Sequence, residues 1–458
     1  MKMNKLAALS LTALLCAFAG GAYAADYEKA VSDSVASYAA PKAFDGVTLN
    51  IACRSLPAMD FIQKHKEVFE NATGVKIKYT NYPENDLRSK IVADASNKVG
   101  GFQVYCLDNN YIPLFASNKW VAPIDASIKP EYKLDDVFDS LKTSYSWQGK
   151  LYGLPIYSEV TILYYRKDLF QAAGLEVPKT LDDLEAAAAK LTKAPQTFGI
   201  ALRGLRGEGM NAYTWTEWMR SYGANFLDEK MHPVFNSPEA VEGTEHYSNL
   251  INKYGAPGNG TWGWDKVSSA FAAGRVAMIV ESTAFYPVFN DSKQSSVVGK
   301  VGYSVVPAGP KGAFPANYSI GLAIPGTVDP NSKTFAAASA FLQWATSQEM
   351  EFARTDKDIG NEDRKSVNQS DLLKSKIDAD YIKAVQDGQA ITKTHYRPMI
   401  PQWREMGDII GAEIESAFTG GKTAKAALDA AAEQTTARFK SEGVLDTPRA
   451  YSEVFPDK

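Results

Sequence analysis

Apolar positions along this chain change period in a regular way. In Val47-Thr-Leu-Asn-Ile-Ala-Cys53 they alternate, which predicts a strand. Over residues 58–71 they fall at helical spacing (Phe61, Ile62, His65, Val68, Phe69), and the run stops at Gly74. Residues 75–79 and 102–107 read as two more strands, with a helix over 84–97 between them. Strand, helix, strand, helix, strand at this spacing predicts βαβ units and a parallel sheet.

A second α/β set follows. Residues 161–165 read as a strand. The next helix opens at Thr180, three residues before Asp183 in a capping-box pair, with Leu181, Leu184, Ala188 and Leu191 along one face. A strand over 198–202 ends in Arg203-Gly-Leu-Arg206-Gly-Glu-Gly209. Helices are expected over 216–222, 237–253 and 267–273, a Gly-rich loop over 255–263, and strands over 275–280, 299–307 and 318–324. A helix over 334–348 precedes a helical, charged final hundred residues interrupted at 394–403. The expected fold class is therefore α/β with two lobes.

In parallel sheets, ligands bind outside the carboxyl ends of the strands, near a switch in strand order. The residues at the first three ends are polar: Arg54-Ser55, Asn81-Tyr82 and Asp108-Asn109. With a 2-1-3 strand order, Cys53 and Cys106 sit at matching depths on neighbouring strands. Either a disulfide near the ligand edge or two buried free thiols fits this placement, because Cα separation is invisible in sequence.

Composition narrows the class. The 458 residues are 45% hydrophobic and 22% charged, which excludes disorder and a disulfide-dense miniprotein and leaves room for two or three cores. A formal charge of −4 argues against a nucleic-acid partner. Residues 1–24 carry a basic start (Lys2, Lys5), an apolar stretch and Ala22-Tyr23-Ala24, the pattern of a signal peptide cleaved after Ala24. Leu15 precedes Cys16 where a lipoprotein signal takes a small residue. No later run approaches the roughly 18 apolar residues of a membrane span, so a periplasmic protein is expected.

Catalytic motifs are lacking. His65, His232, His246 and His395 are scattered without a zinc-binding spacing. Gly420-Gly421-Lys422-Thr423 imitates the end of a phosphate-binding loop, but the required first glycine falls at Ser416 and the segment follows a helix. No G-x-S-x-G elbow occurs. Neither a cofactor nor an enzymatic activity is expected. Of the acids, Glu159, Glu217, Asp265 and Glu281 would be the candidates for glycoside hydrolysis, where spacing in space decides.

The segments Tyr152-Gly-Leu-Pro-Ile-Tyr-Ser-Glu-Val-Thr-Ile-Leu-Tyr-Tyr-Arg-Lys-Asp-Leu-Phe170, Val177-Pro-Lys-Thr-Leu-Asp-Asp-Leu184, Phe271-Ala-Ala-Gly-Arg-Val-Ala-Met278 and Asn317-Tyr-Ser-Ile-Gly-Leu-Ala-Ile-Pro325 come in a telling order. With the Ala-rich helix up to Ser347-Gln-Glu349, they resemble family 1 extracellular solute-binding proteins. These are the maltose-binding-protein-like, carbohydrate-binding components of bacterial ABC importers. The resemblance implies a two-lobed periplasmic binding protein fold with interleaved segments and a central ligand cleft. The crossings would fall at 156–161, 303–307 and 352–357. The first lobe would comprise 26–157 with 308–354, and the second 158–307 with 355–458. The implied partners are a small carbohydrate or polyol and the permease subunits of the importer, and the implied state is a monomer.

Sugars offer hydroxyl fringes and weakly apolar C–H faces, which suit planar polar groups and aromatic platforms. By resemblance, Asp108 matches an acid that follows the third strand in many relatives. Glu281 stands where many members carry Asp, and Asn317 and Tyr318 replace a frequent Gly-Gly and aromatic pattern. Tyr157 and Glu159 lie at the first crossing. The residues themselves add Arg54 and Tyr82 at strand ends, then Arg203 and Arg206 after a strand. Trp215, Trp264 with Asp265, and Arg397 in the late Pro-flanked segment complete the set. A monosaccharide or sugar alcohol is the expected ligand. The alternatives are a phosphorylated or sulfonated polyol held by Arg203 and Arg206, and a periplasmic carbohydrate-active enzyme.

Overall fold

A computed structural model describes residues 26–360, 363–393 and 396–446. The expected signal peptide and His395 lie outside the described residues. The strands are β1 (Thr48–Cys53), β2 (Lys76–Asn81), β3 (Val104–Asp108), β4 (Ser146–Trp147), β5 (Lys150–Leu151), β6 (Gly153–Arg166), β7 (Met278–Ser282), β8 (Val301–Val305) and β9 (Asn317–Ala323). Their order is β2-β1-β3-β9-β6-β7, with β8 also on β6 and β4–β5 a separate small hairpin. β1 pairs in parallel with both β2 and β3, the expected 2-1-3 arrangement. β9 runs antiparallel between β3 and β6.

β6 is the strand that makes two lobes from one chain. Its first half, residues 153–160, pairs with β9. Its second half, 161–166, pairs with β7 and β8. Burial follows the same division, with Ser158 and Glu159 the less buried residues between two buried stretches. The strand expected at 161–165 is only its second half. The register shift between Pro155 and Tyr157 absorbs the proline's missing N–H.

Each half-sheet carries its own core. Leu49, Ile51, Leu107, Ile320, Phe341 and Trp344 pack in the first lobe. Leu163, Leu184, Ile200, Trp218, Ile410 and Phe418 pack in the second. The helix Pro57–Thr73 begins with Pro at its first position and ends on Gly74 at φ 80°, a left-handed stop that suits glycine. The capping box at Thr180 and Asp183 is present, with reciprocal bonds of 3.0 and 3.1 Å. The strand expected at 198–202 reduces to two parallel bridges, Phe198 to Val276 and Ala201 to Ile279.

Two crossings lie later than the resemblance implied. Ala308 exchanges hydrogen bonds with Lys179 and Leu181, and Lys311 donates to the Ser221 carbonyl, so 308–314 stays on the second lobe. The chain returns beside Thr161, whose N–H donates to Ala316. Beyond the expected third crossing, Arg364 still bridges to Val137 and Ser366 bonds Asp136 in the first lobe. Leu373 and Ile377 are the first to join the second lobe's outer cluster. Among the described residues, no helix is long and apolar enough to cross a membrane.

Candidate functional site

The first strand ends bring polar side chains to the gap between the lobes, which holds about 420 Å³ of atom-free space, its open mouth included. Arg54, one residue beyond β1, extends into it. Its neighbour Cys53 forms a disulfide with Cys106 of β3, the Cα atoms 4.9 Å apart. The first-lobe wall is completed by Tyr157 of β6, Tyr318 of β9, and Glu84 and Arg88 from the helix Glu84–Ser96. Arg203, Tyr213, Trp264, Ser282, Phe285 and Arg397 form the opposite wall.

Every guanidinium in this cavity already faces a carboxylate. Arg54 pairs with Glu84 and donates to the Tyr318 and Tyr157 hydroxyls at 3.0 and 3.3 Å. Arg88 reaches Glu84 at 2.8 Å and Asp108 at 2.6 Å. Arg203 grips Glu281 through two bonds of 2.6 Å and donates a third to the Gly209 carbonyl at 2.9 Å. Arg397 meets Glu208 at 3.1 Å. The Tyr213 ring lies under both Arg203 and Arg397, at 4.9 and 5.1 Å.

These pairs set the charge states. Burial alone would raise the carboxyls of Asp108 and Glu84. Arg88 and Arg54 outweigh it, and both acids are held below their usual range. Glu159 lines the cavity without a guanidinium of its own, and burial pushes its carboxyl up to about 7. Arg54, Arg88, Arg203 and Arg397 are balanced by Glu84, Asp108, Glu208 and Glu281, so the site has no surplus positive charge. What it presents is a set of rigidly aimed donors, phenol hydroxyls, and the stacked Trp264–Phe285 pair with ring centroids 5.8 Å apart.

The lobes touch across the cleft. Arg88 of the first lobe lies 3.3 Å from Glu208 of the second. The Asn110 amide of the first lobe faces Arg397, and its oxygen, placed on that side as the donors require, accepts from Nε at 3.0 Å. The structure is therefore the closed form.

Seven of the sequence-predicted residues have another place than its lining. Trp215 is fully buried in the second core, its Nε1 donating to Thr244 at 2.8 Å and its ring edge-on to Phe226. The polar residues beside it in sequence bond elsewhere, Thr214 with the Tyr247 hydroxyl, Thr216 to the Ala212 carbonyl and Glu217 with Thr161. Arg206 is exposed and lines a separate rim cavity with Arg404 and Asp408. Asp265 is exposed in the first turn of the helix Trp264–Ala272, so it points away while Trp264 points in. Tyr82 packs edge-on against Phe102. Asp108 and Glu281 stand behind the wall, holding Arg88 and Arg203. Asn317 faces a larger cavity on the far side of the β6–β9 ribbon, bonded to Thr392 at 3.1 Å. Arg54, Tyr157, Glu159, Arg203, Trp264, Tyr318 and Arg397 do converge.

Sequence reasoning missed Glu84, Arg88, Glu208, Tyr213 and Phe285. For the first two a signal existed: they stand four apart at the start of the helix that follows the flagged Asn81-Tyr82 end. Among the described residues, no group of three or more His, Cys, Asp or Glu is placed to hold a metal ion.

A two-lobed α/β fold closed over a polar, ring-lined cleft defines a binding protein class. The pattern of the bacterial extracellular solute-binding proteins matches residues 55–351, and the chain belongs to that family. A mannitol-binding protein of Pseudomonas aeruginosa is 31% identical over 410 residues, 85% of this chain and 92% of that relative. An ABC transporter solute-binding protein from Agrobacterium radiobacter K84, solved with ribitol, superposes with a TM-score of 0.81 at 29% identity, covering 86% of this chain and 100% of that one. One from Agrobacterium vitis S4, solved with D-mannitol, gives 0.79 at 29% identity, covering 87% and 99%.

Proposed function

We propose that this protein captures a neutral, linear sugar alcohol of ribitol's or mannitol's length in the periplasm, as a monomer, and delivers it to the permease of an ABC importer. The observation that carries this reading is the charge balance of the cavity. Four guanidiniums, each held by a carboxylate, offer fixed N–H donors to hydroxyl oxygens without a net charge to attract an anion. The similar proteins named for mannitol and solved with ribitol and D-mannitol support it.

The hinge runs through 159–161, 316–317 and the segment before Leu373, and ligand contacts on both walls favour the closed form. Arg206 lies outside the cavity, which removes its support for a phosphorylated ligand. Of the four candidate acids, Glu159 alone lines the cavity, and the other carboxylate of that lining, Glu84, is held by Arg54 and Arg88, so no free carboxylate pair stands there for hydrolysis. Glu281 is locked to Arg203, Glu217 accepts from Thr161 and the Ala316 N–H, and Asp265 is exposed.

A thermal-shift screen of sugar alcohols, monosaccharides and their phosphates tests the proposal, because a ligand that binds the folded state raises Tm. Stabilisation by a sugar alcohol recovered chemically unchanged supports it. Stabilisation only by phosphates, or turnover of the hit, overturns it.

A further inference from the structure

We infer that Glu208 is a positioning residue that couples ligand capture to closure, holding one cavity guanidinium from each lobe on a single carboxylate. Glu208 is not in the cavity lining, yet it is only 2% exposed and touches two residues that are. Arg88 approaches from the first lobe at 3.3 Å. Arg397, seated on the second lobe over Tyr213 and Trp403, approaches at 3.1 Å. The Trp403 Nε1 also donates to the carboxylate at 3.1 Å and fixes its position on the second lobe.

The sign of the effect follows from the charges. Arg88 keeps Glu84 and Asp108 when the lobes part. Closure carries Arg397 toward Arg88, two buried cations from opposite walls, and Glu208 is the anion that both share. With that charge removed, closing would leave Arg397 with two neutral acceptors, the Glu208 backbone carbonyl at 3.3 Å and the Asn110 amide oxygen across the gap, and the two guanidiniums would repel. The same carboxylate thus sets where both guanidiniums point toward a ligand and whether the lobes remain together. Glu84, Asp108 and Glu281 each act within one lobe on Arg54, Arg88 or Arg203. Glu208 acts between lobes.

The ligand arm of the test rests on the proposed function, but its main arm needs no ligand. Spin labels on Lys64→Cys and Glu433→Cys, exposed positions on the outer helices of the two lobes, read the interlobe distance in the full chain. Glu208→Gln keeps the shape and removes the charge. In the ligand-free protein it should shift the distance distribution toward the open form. With D-mannitol as probe it should raise the dissociation rate at least tenfold and change the association rate less than threefold. Asn110→Asp gives Arg397 a carboxylate across the gap and should act oppositely, enriching the closed form and slowing dissociation. It also keeps the test decisive if Glu208→Gln does not fold. Unchanged ligand-free distributions in both folded variants, or in Asn110→Asp alone where the other fails, overturn the inference. If D-mannitol fails to bind the wild type, the proposed ligand is wrong, while the distance distributions still decide the role of Glu208.

Discussion

Arg203 and Glu281 face each other as a two-pronged pair, Nε to Oε1 and Nη2 to Oε2 at 2.6 Å each, with Arg203 4% exposed and Glu281 fully buried. The pair fixes the plane of a guanidinium that also lies over Tyr213. Breaking a buried pair by neutralising one member leaves the other charge uncompensated, at a cost of about 3–5 kcal/mol. Glu281→Gln should therefore lower Tm by several degrees in calorimetry and weaken polyol binding at least tenfold. A variant with wild-type Tm and affinity would show that the pair is dispensable.

The tryptophans separate into two kinds. Trp264 is half-buried on Phe285 at the cavity wall, so Trp264→Ala should weaken ligand binding by about 1 kcal/mol and leave Tm nearly unchanged. Trp215 fills the second core, and Trp215→Ala should destabilise the fold by about 3–5 kcal/mol. Chemical denaturation beside calorimetric titration distinguishes them. Equal losses of stability in the two variants would contradict the placement.

The disulfide ties the last residue of β1, next to Arg54, to the middle of β3, two residues before Asp108. It joins residues separated by 53 positions, a loop whose closure restricts the unfolded chain by roughly 4 kcal/mol on the chain-entropy estimate. Cys53→Ser with Cys106→Ser should lower both the denaturant midpoint and the ligand affinity, since Arg54 loses its fixed base. Preserved affinity in the double variant would show that the packing of the strands alone positions Arg54.

Glu217 bonds to Thr161 and Ala316, residues of two hinge crossings, and burial pushes its carboxyl up to about 8. The folded chain therefore keeps a proton that the unfolded chain releases near 4.5. Its contribution to stability is full below about 4.5, declines as pH rises, and is lost above about 8. Glu217→Gln should remove this decline, so Tm of the variant gains on wild type between pH 5 and about 8.5. Parallel Tm curves for the two proteins would contradict it.

Much of the fold was legible because its signals are local. Alternation in 47–53 and helical spacing after it gave the βαβ start, and Thr180 with Asp183 marked a helix by its capping chemistry. The long β6 was hidden because Pro155 argues against a strand, and only pairing with β9 shows that the proline is tolerated. The site was half legible. Strand ends pointed to Arg54 and Asp108, but whether Asp108 lines the cavity or holds Arg88 depends on side chains brought together across 20 positions. Trp215 and Trp264 look alike in sequence, and only burial separates core from platform.

The central claim is that a charge-balanced cavity selects a neutral linear polyol. Isothermal titration of the protein with D-mannitol, ribitol and mannitol 1-phosphate tests it most directly. The account predicts one site per chain for at least one neutral polyol, with the phosphate at least about a hundredfold weaker, a difference of roughly 2.8 kcal/mol. Tighter binding of the phosphate than of either neutral polyol would contradict it.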